Sequence, residues 1–376
     1  MLTRPGFDIM KTSLVGLPFV GGLFGVAAVA AVLAVVRRRA RIGWMVLAVV
    51  SCLLGTAATV NRYFGYLPNV GSVLGQRASD QVSARSVRAL RQSLVSAGPG
   101  DQAVPLPLRG KVELVSIPPT VSGFRARHAQ VYLPPAWFTS PRPALPVIEL
   151  LHGTPGTPED WTRAGRADVA ADAFAATRGG RAPIIVMPDV NGGFTRDSEC
   201  VDRPGDRAET YLTTDVPQYA VQALGANPDR RAWTIAGSSE GGYCAVDLGL
   251  RHADRYAAVV DLSGLDRPTY PGGAHRLFAT RRDQRDHQPL VLLADRTPPR
   301  QFAMWLTAGT AESGNLRAVK RVAAAARRRG VEVHLTVVPG GRHTWGLWRR
   351  AFRDLLPVVA DRAGVSGVQP ARSGTT

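Results

Sequence analysis

The stretch Ile235–Leu250, IAGSSEGGYCAVDLGL, joins an apolar strand end to small residues around two serines and then to a helix-like run. Within it, Gly237-Ser238-Ser239-Glu240-Gly241 fits G-x-S-x-G, in which a serine occupies a tight strand-to-helix corner with its hydroxyl exposed. Ser239 is then the candidate nucleophile and Ser238 a filler. Such a corner passes through strained dihedrals, and a Cβ at Gly237 or Gly241 would meet the neighbouring strand or helix. A plain glycine-serine turn is the competing reading in a chain with 39 glycines. The choice rests on finding a base and an acid in the right places.

Around this stretch, apolar runs alternate with helical ones. Val147–Gly153, Ala182–Val190, Ala232–Ser238, Ala257–Gly264, Met304–Thr310 and Glu332–Gly341 read as largely buried strands. Thr162–Thr177, Ala208–Leu224, Leu316–Arg329 and Thr344–Ala363 read as helices. This alternation predicts an α/β fold, a mainly parallel sheet with helices on both faces. Lys111–Pro134 adds antiparallel strands at its leading edge.

In an open sheet of this kind the working groups gather at the carboxyl ends of the strands. His343 follows the last strand, in PGGRHTWGLWRR, and is the candidate base. The chain order Ser, acid, His asks for a carboxylate after the preceding strand. Glu312, directly after MWLTAGTA, fits, with Asp261 and Asp295 as rivals. Its carboxylate would orient the imidazole and stabilise the imidazolium. The oxyanion donors are expected from the amides of Glu240 and Thr154, since Pro155 has no amide hydrogen. His152 is read as a structural neighbour of that loop.

The amino-terminal part has a different character. Leu14–Val36 and Ile42–Val60 carry no charge, and each is long enough to cross about 30 Å of hydrocarbon as a helix. Arg37-Arg38-Arg39-Ala40-Arg41 lies between them, where a signal peptide would offer a cleavage site. A two-helix anchor is expected, its arginine hairpin cytoplasmic and both ends outward. Spacing of Gly21 and Gly25 suggests close packing of the two helices. Asp80–Gly98 has apolar residues at helical spacing with arginines on other faces and reads as a segment along the membrane or a solvated linker helix.

The formal net charge is +17, from 46 Lys and Arg against 29 Asp and Glu. For an outward-facing domain this argues for anionic lipid headgroups and against nucleic acid. Cys52 lies in the second apolar run, leaving Cys200 and Cys244 as the thiols of the outward domain, where a disulfide is expected. That bond would pin the loop DSECVD, Asp197–Asp202, near Ser239. No H-E-x-x-H or zinc-type cysteine spacing occurs, so neither metal nor cofactor is expected. The resulting division is a two-helix anchor over 1–60, a tether over 61–107, a catalytic domain over 108–363 and a disordered tail over 364–376.

LLHGTPGTPEDW, DSECVD, AETYLTTDVPQYA, IAGSSEGGYCAVDLGLRHADRY, LTAGTAE and GGRHTWGLWRR together resemble the putative-esterase family of α/β-hydrolases, which includes esterase D and the mycobacterial mycolyltransferases. Membrane-anchored actinobacterial members resemble it most, and VNRYFGYLPNVGSVLG, Val60–Gly75, is of their kind. The resemblance spans about Asn61–Ala363 and implies a Ser239-Glu312-His343 triad, with Thr154 and Glu240 as oxyanion amides. The chain departs from the pattern at Glu240, where many relatives carry an uncharged residue. That side chain either pairs with an arginine or receives a cationic group of the substrate.

The reading is a serine esterase at the outer face of the cytoplasmic membrane, acting on acyl or lipid esters through an acyl-enzyme. The alternatives are an acyltransferase of the envelope, a hydrolase of aminoacylated phosphatidylglycerol, and a non-catalytic envelope binding module.

Overall fold

The structure, a computed structural model, describes residues 14, 16–66, 82–83, 106–270, 273 and 276–365. Most of the Asp80–Gly98 segment, Leu67–Gly75 of the motif after the second apolar run, and the tail beyond Val365 lie outside the described residues. The chain forms two compact units: Met1–Ser79 with His343–Gly346, and Asp80–Arg342 with Leu347–Thr376.

In the first unit two helices, Leu17–Val36 and Arg41–Phe64, are joined by a short 3-10 turn over Arg38–Ala40. Pro18 sits in the first turn, where its missing N–H costs no helical bond. Gly65, at φ 70, ends the second helix in the left-handed conformation that glycine tolerates. Both helices are long and apolar enough to cross a membrane. Large apolar side chains stand exposed along them, Val35 at 75% and Ile42 at 79%. The close approach is at Gly55, where a Cβ would lie 3.0 Å from the Phe24 ring. Gly21 and Gly25 face open space instead, so their spacing does not mark the packing seam.

In the second unit the strands are β1 Val82–Ser83, β2 Lys111–Val115, β3 Ala129–Leu133, β4 Val147–Leu151, β5 Ile184–Met187, β6 Asp202–Arg203, β7 Asp206–Arg207, β8 Trp233–Ser238, β9 Ala258–Leu262, β10 Ala303–Gly309 and β11 Glu332–Val338. Nine of them form one sheet in the order β1-β2-β3-β5-β4-β8-β9-β10-β11. Its pairs are parallel except β2 with β3 and β3 with β5, which places the antiparallel strands at the leading side. β6 and β7 make a separate ribbon. Every residue of β4, β5, β8, β9 and β10 is buried, as strands covered on both faces require. Edge strand β11 alternates instead, turning Glu332, His334 and Thr336 outward.

The chain passes from β4 back to β5 and then across to β8 on the other side of β4. The order therefore reverses at β4, opening a crevice beyond the carboxyl ends of β4 and β8. One ends at His152-Gly153-Thr154, the other at Ser239.

Two of the four helical readings are interrupted. Thr162–Thr177 divides into Asp160–Arg163 and Ala167–Ala176, with Arg166 at φ 55 and Gly165 held against Trp161, where a Cβ would lie 2.6 Å from the ring. Ala208–Leu224 widens into a π turn over Tyr211–Asp215, because Pro217 removes one backbone donor. The Asp215 carboxylate there accepts from the amides of Val121 and Ser122.

Candidate active site

Ser239 caps the helix Glu240–Arg251 with φ 57 and ψ −121, a conformation costly for a non-glycine residue. Surrounding bonds hold it there. Its amide donates to Leu262 O at 2.9 Å, and its carbonyl accepts from the amides of Gly242 and Tyr243 at 3.0 and 3.1 Å. A Cβ on Gly237 would lie 2.1 Å from Gly241 O, and one on Gly241 would lie 2.4 Å from Leu151 O. Gly153 completes the cradle, with a Cβ position 3.1 Å from Ser239 Cβ. Ser238 is buried in the strand, its hydroxyl unpartnered.

The loop after β4 is fixed from below. His152 is fully buried; its Nε2 accepts from the Val190 amide at 3.1 Å, leaving Nδ1 to donate to Gly153 O at 2.8 Å. Burial disfavours the Asp189 carboxylate, but the Arg127 backbone amide and guanidinium, which donate to both of its oxygens, outweigh it and hold the group well below the usual range.

Thr154 and Glu240, the two residues expected to supply oxyanion amides, are brought together through their side chains. The Thr154 hydroxyl donates to Glu240 Oε2, and Asn191 Nδ2 donates to Glu240 Oε2 at 2.9 Å and to Thr154 Oγ1 at 2.6 Å. The expected arginine pair is not formed: among the described residues Glu240 makes no ion pair, and its enclosed Oε1 has no hydrogen-bond partner. Its charged neighbours are the acids Asp197 and Glu199. Burial, reinforced by those two carboxyls, pushes Glu240 well above the usual carboxylate range. Glu199 is raised to about 8, by burial and then by Asp197. Burial is also the main cause of the upward shift at Asp197.

Cys200 and Cys244 form the disulfide. It ties the acid-bearing loop to the second turn of the Ser239 helix. Glu199 and Cys200 both have positive φ, at 47 and 56. Ser198 supports the loop, its amide donating to Asn191 Oδ1 and its hydroxyl to Val190 O.

Glu312 is buried at the start of helix Ser313–Arg328 and accepts from the Ser263 hydroxyl at 2.7 Å and from the Gly309 amide. Trp348 Nε1 donates to the same Ser263 hydroxyl at 3.1 Å. Its rival Asp261 turns under the Ser239 helix instead. Asp261 Oδ1 accepts from the Gly264 amide at 2.6 Å and lies 2.4 Å from a Cβ placed on Gly242. Burial raises Asp261 to about 7. Asp295 is a surface residue, 3.8 Å from Arg285. His343, in the first unit, is half-buried in the turn between β11 and helix Trp345–Arg362.

Sequence reasoning passed over Asn191, Asp197 and Glu199. Their signal was available: Asn191 stands just beyond a strand end, and both acids lie in the loop singled out for its cysteine.

Residues 124–358 match the family described as putative esterase. An uncharacterized protein of Corynebacterium glutamicum is 30% identical over 343 residues, covering 87% of this chain and 78% of its own. Among solved structures, a ferulic acid esterase superposes with a TM-score of 0.54 at 25% identity, covering 63% of this chain and 92% of that one. An S-formylglutathione hydrolase from Agrobacterium tumefaciens gives 0.57 at 18% identity, covering 70% and 99%. With its parallel sheet, its reversal at β4 and its serine elbow, the chain belongs to the putative-esterase family and is an α/β-hydrolase enzyme of the serine-hydrolase type.

Proposed function

We propose that this chain is a membrane-anchored, extracytoplasmic serine esterase acting on acyl esters, lipid esters included, with residues 108–363 as its catalytic domain. Ser239 attacks the ester carbonyl, His343 takes its proton, Glu312 orients the imidazole, and the amides of Thr154 and Glu240 receive the oxyanion. The observation that carries this reading is Ser239 itself: a strained residue at a helix amino terminus, in a cradle where Gly237 and Gly241 admit no side chain and Gly153 leaves little room for one. The bonds from Ser263 and Gly309 to Glu312 support its role as acid. Acyl transfer follows the same path if an alcohol rather than water releases the acyl-enzyme.

A second reading concerns the substrate. Glu240, Asp197 and Glu199 bring three carboxyls together beside the elbow, and among the described residues no arginine or lysine neutralises Glu240. Their upward shifts favour the protonated form in the empty site, and a cation is required to favour the ionised one. An ammonium group on the acyl part, as in an aminoacyl ester of phosphatidylglycerol, meets that requirement.

The test is labelling of the full chain in detergent with a fluorophosphonate, the modified residue located by mass spectrometry, followed by acyl esters of graded length. Modification of Ser239 with turnover of at least one ester is expected. Labelling elsewhere, or no turnover of any ester, would reject the proposal. Orientation is tested separately: protease added to intact spheroplasts should cleave the catalytic domain, and protection would reverse the topology.

A further inference from the structure

A cleft of about 560 Å³ opens in the loop that the disulfide ties to the Ser239 helix, bounded by Thr195, Arg196, Asp197, Arg203, Pro204, Asp206 and Tyr270. It is joined to the oxyanion loop at two points: the Thr154 hydroxyl also reaches Arg196 O at 3.3 Å, and the Gly156 amide donates to Phe194 O at 3.0 Å. Pro204-Gly205 turns the β6–β7 ribbon, with Gly205 at φ 74, and sets Arg203 opposite Asp206.

The cleft carries two arginines and two carboxyls, and burial disfavours the ionised form of one of these, Asp197. Arg196 and Arg203 share one carboxylate oxygen, Asp206 Oδ2, at 2.8 and 2.6 Å. Arg203 lies 5.3 Å from the Tyr270 ring and donates to its hydroxyl at 3.2 Å. That leaves Arg203 Nε enclosed with no hydrogen-bond partner. A guanidinium presents its donors as a rigid planar fork, which suits two oxygens of one anion. The fourth charged group lining the cleft, Asp197, interacts electrostatically with both Arg203 and Glu240, so the cleft and the surroundings of Ser239 meet at this residue.

We propose that this cleft binds a phosphate ester group, placed on the molecule whose acyl ester is cleaved at Ser239. Arg203 and Arg196 hold the phosphate oxygens, Tyr270 backs the Arg203 guanidinium, and Asp206 keeps both arginines on one wall. The role of Ser239 is taken from the function proposed above; the phosphate site stands on the cleft.

The probes are sn-glycerol 3-phosphate and a pair of esters with the same acyl group, 1-butyryl-glycerol 3-phosphate and 4-nitrophenyl butyrate. Calorimetry on the full chain in detergent should show glycerol 3-phosphate binding that is lost in Arg203→Gln. Arg196→Gln, at a more exposed position, serves as the second variant should Arg203→Gln fold poorly. The ratio of kcat/KM for the phosphate ester over the neutral ester should fall by about 10- to 100-fold in either variant, as for a lost charged hydrogen bond. Vesicles of phosphatidylglycerol, but not of phosphatidylcholine, should compete if the phosphate belongs to a lipid headgroup. Competition by glycerol 3-phosphate alone assigns it to a soluble ester. Absence of glycerol 3-phosphate binding, or an unchanged ratio in both variants, overturns the phosphate site. Failure of Ser239 to label with fluorophosphonate would strike the esterase reading instead and leave the binding result to decide the cleft.

Discussion

The Thr154 hydroxyl and the Glu240 carboxyl, 86 residues apart in sequence, share a hydrogen bond. The residue after the elbow serine thereby grips the loop after β4, and Asn191 clamps both partners from the end of β5. Glutamate at this position is thus part of the architecture around Ser239.

The first prediction follows from the elbow. Triad members act as a unit, so Ser239→Ala and His343→Ala should each lower kcat by a factor of roughly 10⁴ or more on a 4-nitrophenyl ester. Glu312→Gln should be severe but less complete. Full activity in purified Ser239→Ala would end the proposal, and a crippled Asp261→Asn beside an active Glu312→Gln would move the acid to Asp261.

Glu240→Gln separates the two substrate readings. The amide preserves the volume and an oxygen for the contacts with Thr154 and Asn191 while removing the group that a cation would ionise. Turnover of aminoacyl esters should drop by about 1–3 kcal/mol more than that of neutral esters of similar size. Equal loss on both, or none on either, would remove amine recognition and leave a general esterase.

Much of this architecture was legible in the chain. Five of the six apolar runs were visible as buried because strands covered on both faces have no polar side to show, and the Ser239 corner because only glycine fits around it. The sixth, β11, was read as largely buried but is an edge strand with Glu332, His334 and Thr336 outward. The grip on Glu240 was not. It depends on β5 lying beside β4, which places Asn191 next to Thr154, and neighbourhood in a sheet is set by topology rather than by local pattern. An arginine partner for Glu240 was a sound guess from composition. The disulfide instead brings Asp197 and Glu199 to that side chain. The π turn at Tyr211–Asp215 was hidden for a similar reason: Pro217 signals a lost donor, not the extra residue that absorbs it.

Stability should fall with rising pH. Glu149 is fully buried and accepts from the Tyr256 hydroxyl at 2.8 Å; burial raises it to about 8, against the opposing effects of Tyr256 and Arg255. Its folded pKa lies above the unfolded value, so its contribution is intact below pH 4.5 and is lost as pH rises through about 8. Glu149→Gln should flatten that decline, gaining roughly 1–4 kcal/mol on the wild type at pH 9 relative to pH 5. Parallel denaturation curves for both proteins across this range would refute it.

The Cys200–Cys244 bond spans 44 residues of sequence. A cross-link of that span is worth about 2–4 kcal/mol. Cys200→Ser with Cys244→Ser should lower the urea midpoint accordingly. It should also reduce esterase activity, because Glu199 and Cys200 would be free to leave their positive-φ conformations. An unchanged midpoint with reductant present would show that the loop is held by its hydrogen bonds alone.

Gly309 and Gly341 cross so closely that a Cβ on the first would lie 2.1 Å from the carbonyl oxygen of the second. In the other direction a Cβ on Gly341 would lie 2.6 Å from Leu347 Cδ1 and 2.9 Å from Gly309 Cα. In a saturation library, both positions should reject alanine as well as tryptophan, since the obstacle is the first carbon of any side chain and at each position a main-chain atom stands under 3.0 Å from it. Intolerance to substitution there would map a backbone junction, so a screen scored by activity alone would mistake two structural glycines for parts of the catalytic machinery.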